Sequence, residues 1–251
     1  MFLMVIEVSD YMSRVEASQY TIFTQKFHSS VSKTIQKHNG VIRKADNNHY
    51  AVTFNDVSSA MQCALDVQYK FKYVTPKHKS FSRQLKIALI ESADYNAKAL
   101  AKCLEYCEFI KDQLVISSRV KAEYLEQNTH AKIDKTLVRV LKEKEEHFFN
   151  GFMDYLETHW GRDDLSIHHF IKALNITYGQ LFWRLTRLTG LTPRKFIKRF
   201  RLHKGMLILH RQRLSITEVA KRIGFKSATH FSDSFLETYG IRPSRYVQQH
   251  T

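Results

Sequence analysis

Two folds in tandem are predicted for this 251-residue chain: an α+β domain over residues 1–125, a connecting helix at 126–146, and an all-α domain over 147–251 with two helix-turn-helix motifs. Three observations predict them. First, residues 165–172, LSIHHFIK, return as 214–221, LSITEVAK, 49 positions later. After one inserted residue the echo continues at a spacing of 50: Leu181 with Phe231, Leu185 with Phe235, Gly190 with Gly240, Leu191 with Ile241, Pro193 with Pro243. A repeat that keeps its apolar positions and its Gly and Pro stops describes two copies of one supersecondary unit. Second, the first half alternates strand and helix patterns in the order β-α-β-β-α-β, the ferredoxin-like arrangement. Third, charge is uneven. Residues 1–146 hold 22 Lys/Arg against 17 Asp/Glu, whereas residues 147–251 hold 17 against 7. A net +10 on the shorter part favours a polyanionic partner there.

In the first domain, residues 2–8 are apolar and β-branched and predict a strand. Residues 18–38 predict a long amphipathic helix with Phe23, Phe27, Val31 and Ile35 on one face. Asn39-Gly40 turns the chain into a hairpin of strands 41–44 and 50–54, with Asp46, Asn47, Asn48 and His49 at its tip. A helix at 58–71, a strand at 85–90, a helix at 97–109 and a strand at 113–117 complete the domain. Between the domains, Ile133, Leu137, Val140 and Leu141 stand at helical spacing, predicting a connecting helix that either pairs with a copy of itself or lies on the surface.

In the second domain, Phe149, Phe152, Met153, Leu156 and Trp160 mark one face of a helix at 146–159. A short helix follows from Ser166 to Asn175. Thr177 caps the next, with Gln180 completing a capping box, and Gly190 stops it. Thr192-Pro193 opens the longest helix, to His210, about 27 Å at ~1.5 Å per residue. The second unit starts on a full capping box, Ser215 to Glu218, turns at residues 224–226, and resumes at Ser227 with a helix to Glu237. Gly240 ends that helix and Pro243 opens a last one.

No apolar run approaches the ~18 residues of a membrane span, and the first residues read as a strand rather than a signal peptide. Three cysteines, Cys63, Cys103 and Cys107, fit a reducing, cytoplasmic setting. Cys103 and Cys107 share a helix face and could hold half a metal site. Without a second half in the sequence, buried thiols are the better expectation, and no metal or cofactor is expected.

Residues 148–248 resemble the DNA-binding domain of the AraC/XylS transcription regulators. The resemblance rests on ITEVAKRIGF at 216–225, then Ser227, His230-Phe231, Phe235, Tyr239-Gly240 and Pro243-Ser244. It implies base reading by the N-terminal half of each second helix: Tyr178, Gly179, Gln180, Phe182 and Trp183 in the first unit, Ala228, Thr229, Ser232 and Asp233 in the second. The first helix departs from the family, with Gly179 replacing a polar reader and Trp183 standing at a commonly basic position. Gln180 either reads adenine or closes its capping box. Asp233 either accepts from cytosine or is simply solvated. Thr177, Arg184, Arg187, Arg194, Lys195, Arg222, Lys226 and Ser227 are the expected phosphate contacts, or else a solvated cationic face.

The first domain resembles the class III nucleotide cyclases. His38-Asn39-Gly40 stands at the family's His-Gly-Gly turn, and residues 50–54, 60–68 and 114–117 resemble the elements that follow. The resemblance implies two metal-binding carboxylates and an Asn and an Arg on a late helix. Here those positions hold Glu7, Asn48, Ala99 and Cys103, and Asp46 reaches the metal role only if the hairpin shifts. A degenerate, non-catalytic domain is therefore expected, left with dimerisation or the binding of an unidentified small ligand.

The combined expectation is a cytoplasmic transcription regulator and not an enzyme. It would bind double-stranded DNA through two successive major-groove turns and form a homodimer through its N-terminal domain, with no membrane partner. The competing reading is a nucleotide-binding or cyclase-type enzyme with a DNA-binding tail. An adaptor that recruits another protein through residues 1–125 is a third.

Overall fold

In a computed structural model of the chain, the described residues are 1–7, 17–46, 49–74, 85–108, 114–211 and 214–250. They divide into two compact units, Met1–Glu146 and His147–Thr251.

The first unit is an α/β structure around a mixed six-stranded sheet of order β2-β3-β1-β4-β5-β6. Its strands are β1 (Phe2–Glu7), β2 (Val41–Ala45), β3 (His49–Phe54), β4 (Lys86–Glu91), β5 (Leu114–Ile116) and β6 (Val138–Val140). Strand β1 lies centrally, antiparallel to β3 and β4, whereas β5 joins β4 and β6 joins β5 in parallel. Every residue of β1 and β3 is buried. Side chains alternate between the faces of a strand, so both faces of the sheet centre are covered. Met4 and Ile6 pack in one core with Phe27, Val31 and Ile35 of α1 (Ala17–Lys37), with Ala60, Ala64 and Val67 of α2 (Val57–Val74), and with Val120 of α4 (Ser118–Gln127). On the other face, α3 (Ala97–Tyr106) sets the Cys103 thiol 3.5 Å from the Leu3 carbonyl. The side chain of Phe23, and residues Val8, Asn47, Asn48, Phe109 and Gln113, lie outside the described residues.

Three expectations are corrected. Residues 126–146 do not form one connecting helix. Strand β6 occupies residues 138–140, with Leu114 opposite Val138 and Ile116 opposite Val140. Two β-branched valines flanking Arg139 satisfy a sheet edge, and this outweighs the helical spacing of the neighbouring apolar residues. Helix α4, capped by the Ser117 hydroxyl, is an element that the strand-to-linker reading omitted. Helix α5 (Glu143–His159) begins earlier than expected, because the Glu145 carboxylate accepts from the Lys142 amide at 3.0 Å and closes the first turn.

The second unit is all helical: the body of α5, then α6 (Ile167–Leu174), α7 (Tyr178–Thr189), α8 (Pro193–Arg211), α9 (Ile216–Arg222), α10 (Ala228–Tyr239) and α11 (Pro243–His250). Helix α8 is its spine. Near its start Phe196 meets Phe149 edge-on at 6.1 Å and Phe152 at 5.6 Å, in the core around the first helix-turn-helix. Further along, Leu202, Met206 and Leu209 enter the core of the second, with Val219, Phe231 and Phe235.

Candidate nucleic-acid interface

In each helix-turn-helix the turn requires a left-handed residue, and the sequence supplies one. Asn175 adopts φ 50° between α6 and α7, and Gly224 adopts φ 75° between α9 and α10. Asparagine and glycine tolerate that region best. A Cβ on Gly224 would also stand 2.9 Å from the Arg162 carbonyl oxygen. Gly190 and Gly240 end the two second helices at φ 70° and 73°.

The first helix-turn-helix starts α7 on a closed capping box. The Gln180 amide donates to the Thr177 hydroxyl at 3.2 Å, and the Gln180 side-chain oxygen accepts from the Thr177 amide at 2.9 Å. Gln180 is exposed, but a bidentate contact to adenine needs both ends of its amide, so reading adenine requires opening the box. Leu181, Leu185 and Leu188 are buried, while Tyr178, Phe182 and Trp183 are 54%, 38% and 59% exposed. The Tyr178 and Phe182 rings stand 6.1 Å apart, and the Arg187 guanidinium lies 4.9 Å over the Trp183 ring. Gly179 is exposed beside them.

The second unit caps α9 with Ser215 and Glu218, and α10 with the Ser227 hydroxyl, which accepts from the His230 amide at 3.1 Å. Phe231, Ser234, Phe235 and Tyr239 are buried. Thr229 and Asp233 are exposed, and Ala228 and Ser232 half-buried. Asp233 has Arg242 at 3.5 Å, both side chains more than half exposed. The pair is weak.

Arg194, Lys195, Arg222 and Lys226 are exposed. Arg184 is half-buried, with its guanidinium 5.5 Å over the Phe148 ring. The Thr177 and Ser227 hydroxyls use lone pairs in their caps and keep an O–H to donate. A cleft of about 520 Å³ is lined by Tyr178 of α7, by Arg194 of α8, and by Gly224, Lys226 and His230 of the second helix-turn-helix. Tyr178 at the start of α7 and His230 near the start of α10 thus border one cleft.

Arg201 was absent from the sequence-based site. Its Nε donates to the Trp160 carbonyl at 2.8 Å, one terminal nitrogen to the Gly224 carbonyl at 3.1 Å, and the other to the Arg162 carbonyl. One half-buried guanidinium thus ties α8 to the second turn, and desolvation lowers its pKa. Spacing held the signal: Arg201 lies on the ridge of Ile197 and Gly205, both buried.

Among the described residues, the cyclase-like positions do not form an open metal site. Glu7 is 6% exposed with the Lys86 ammonium at 3.4 Å, and Ala99 and Cys103 are buried. Burial pushes the Cys107 thiol pKa well up and raises that of Cys103. Asp46 is engaged in the hairpin, accepting from the His49 amide at 2.9 Å. Among the described residues no group of three or more His, Cys, Asp or Glu is placed to hold a metal, and no helix is long and apolar enough to cross a membrane.

Residues 170–249 match the family model of a helix-turn-helix domain. The chain is 32% identical over 126 residues to the HTH-type transcriptional regulator MtrA of Neisseria gonorrhoeae, which is 50% of this chain and 40% of that protein. It is 30% identical over 94 residues to the HTH-type transcriptional activator RhaS of Escherichia coli strain SE11, covering 38% of this chain and 34% of that one. The chain thus spans less than half the length of these two relatives. Among solved structures, a transcriptional regulator from Chromobacterium violaceum, described as of the AraC-type DNA-binding domain-containing proteins, aligns at 20% identity. Its TM-score is 0.40, over 44% of this chain and 97% of that one.

Proposed function

We propose, from a C-terminal region that belongs to the AraC-type helix-turn-helix family, that this chain is a sequence-specific DNA-binding transcription regulator. Helices α7 and α10 enter successive major-groove turns. The observation that carries the reading is the twinned construction of a unit with net charge +10: two capped second helices, buried at matched positions and exposed at their starts, on one basic spine. Helix α8 has 19 residues, about 28 Å at ~1.5 Å per residue, which suits groove turns about 34 Å apart.

In this reading Tyr178, Gln180, Phe182 and Trp183 face bases in one groove and Ala228, Thr229, Ser232 and Asp233 in the next. Thr177, Arg184, Arg187, Arg194, Lys195, Arg222, Lys226 and Ser227 contact phosphates, which position the protein without carrying sequence information. The first unit is a degenerate cyclase-homology domain of ferredoxin-like order, serving as a dimerisation or sensing module. Supporting this are the strand order β2-β3-β1-β4 and the resemblance at residues 38–40 and 50–54.

Titrating the full chain against DNA selected from a random pool tests the proposal. Affinity should fall linearly on logarithmic axes as salt rises, with a preferred sequence spanning two adjacent turns. Binding with no salt slope or no preferred sequence would refute it. Cyclic nucleotide made from ATP or GTP with Mn²⁺, and lost in Glu7→Ala, would instead restore the enzyme reading that the burial of Glu7 opposes.

A further inference from the structure

We infer that the first recognition helix reads thymine methyl groups through an aromatic surface, so that half of the operator is recognised by apolar contact rather than by hydrogen bonding. The inference rests on the DNA-binding reading above and names the chemistry of one of its two contacts. Three exposed rings, Tyr178, Phe182 and Trp183, occupy the part of α7 that faces bases in that reading. Positions 178–183 hold no Arg, Lys or Asn, the residues that pair bidentately with guanine or adenine edges. The single amide among them, Gln180, has its oxygen engaged by the Thr177 amide.

Over residues 178–183, α7 therefore offers the groove a large apolar area beside the Tyr178 hydroxyl, the Trp183 indole N–H and the Gln180 side-chain NH2, none of which forms a bidentate pair as it stands. Of the four bases, only thymine shows a methyl group in the major groove. Charge fixes the occupant as nucleic acid rather than protein: Arg187 lies over the Trp183 ring, Arg194 and Lys195 are exposed at the start of the next helix, and the whole unit carries +10. At the matched positions of α10 stand Ala228, Ser232 and Asp233, so the aromatic surface belongs to one unit alone.

Replacing thymine by deoxyuridine removes only the methyl group and tests this directly. Each thymine of the selected site is replaced in turn, and affinity is measured at fixed salt for the full chain and for Phe182→Ala and Trp183→Ala. Both substituted side chains are exposed on α7, so these variants keep the buried face that folds the helix. At one or more positions uracil should weaken the unmodified protein by about fourfold, the worth of burying one such group. The same replacement should cost nothing in at least one variant. Equal affinity for thymine and uracil throughout, with sequence preference and salt slope intact, would overturn the inference and leave the regulator standing. So would variants that bind DNA as the parent does but lose self-association, since the rings would then be a protein contact. Loss of all sequence preference in the unmodified protein would refute the regulator reading itself.

Discussion

The two helix-turn-helix units are alike inside and unlike outside. Leu181 and Leu185 of the first and Phe231 and Phe235 of the second are all fully buried, and both second helices end on a left-handed glycine followed by a helix-opening proline. Their surfaces diverge at matched positions: Tyr178, Phe182 and Trp183 against Ala228, Ser232 and Asp233. Burial constrains both copies equally, because a close-packed core punishes any change in volume. Solvent-facing positions were free to specialise. Hence the repeat identifies the scaffold, and its mismatches mark where the two units do different work.

The largest break in this comparison should come from the cores. Phe235→Ala should cost about 3–5 kcal/mol and Leu185→Ala about 2–5 kcal/mol. The two tryptophans, Trp160 and Trp183, both lie in the second unit. Trp160 packs against the second core, whereas Trp183 rides on the first recognition helix. Denaturation followed by fluorescence of Trp160→Phe and Trp183→Phe backgrounds would separate the two reporters. Helix α8 runs through both cores, so each core substitution should shift both transitions together. A shift confined to one reporter would show that the halves unfold independently.

The glycines sharpen the comparison further. Gly190 and Gly240 have positive φ and open space where a Cβ would go, so alanine at either should cost about 1–2 kcal/mol in backbone strain alone. Gly224 carries the same φ penalty, and its added Cβ would also press on the Arg162 carbonyl and the Arg201 guanidinium, 2.9 and 2.8 Å away. Gly224→Ala should therefore be the worst of the three, by roughly a further 1–3 kcal/mol. Equal costs at all three positions would mean that the Arg201 clamp yields freely.

The matched stops and caps were legible because their chemistry is local. A serine three residues before a glutamate, or a glycine before a proline, needs no tertiary partner to be understood. Burial of Phe27, Val31 and Ile35 followed equally from periodicity. Strand β6 was not legible. Its partner strand is reached only across α4, and two valines around one arginine carry almost no pattern of their own. Arg201 was hidden differently: it stands in a basic run from Lys198 to Arg201, and only the apolar i−4 and i+4 neighbours, Ile197 and Gly205, hint that its guanidinium turns inward to carbonyls of distant turns. Base-reading positions were placed from a resemblance, and the structure adds which of them are exposed and which, like Gln180 and Asp233, already have partners.

Phosphate contacts should distinguish themselves from base contacts. In the proposed reading Arg194 of α8 and Lys226 of the second turn flank one cleft. Alanine at either should weaken all sequences alike and lower the salt slope by about 1. Trp183→Ala should instead leave the slope unchanged while relaxing preference at particular bases. A sequence-dependent loss at Arg194 would move that residue into the base-reading set.

The smallest effects come from the caps of α9 and α6. Glu218 closes the α9 box by accepting from the Ser215 hydroxyl and amide, and these hydrogen bonds hold its carboxyl below the usual glutamate range. A depressed carboxyl contributes stability in full above its unfolded pKa and loses it as pH falls through the folded value. The second unit should therefore weaken slightly in acid, and Glu218→Gln, which keeps a neutral acceptor, should flatten that limb. At the matched position of α6 stands His169, whose Nδ1 accepts from the Ser166 amide at 3.1 Å. Removing that acceptor with His169→Ala should cost about 0.5–1.5 kcal/mol in chemical denaturation, the worth of one net hydrogen bond. If Glu218→Gln left the acid limb as steep as in the parent, the hydrogen bonds at the Ser215 cap would not be its source.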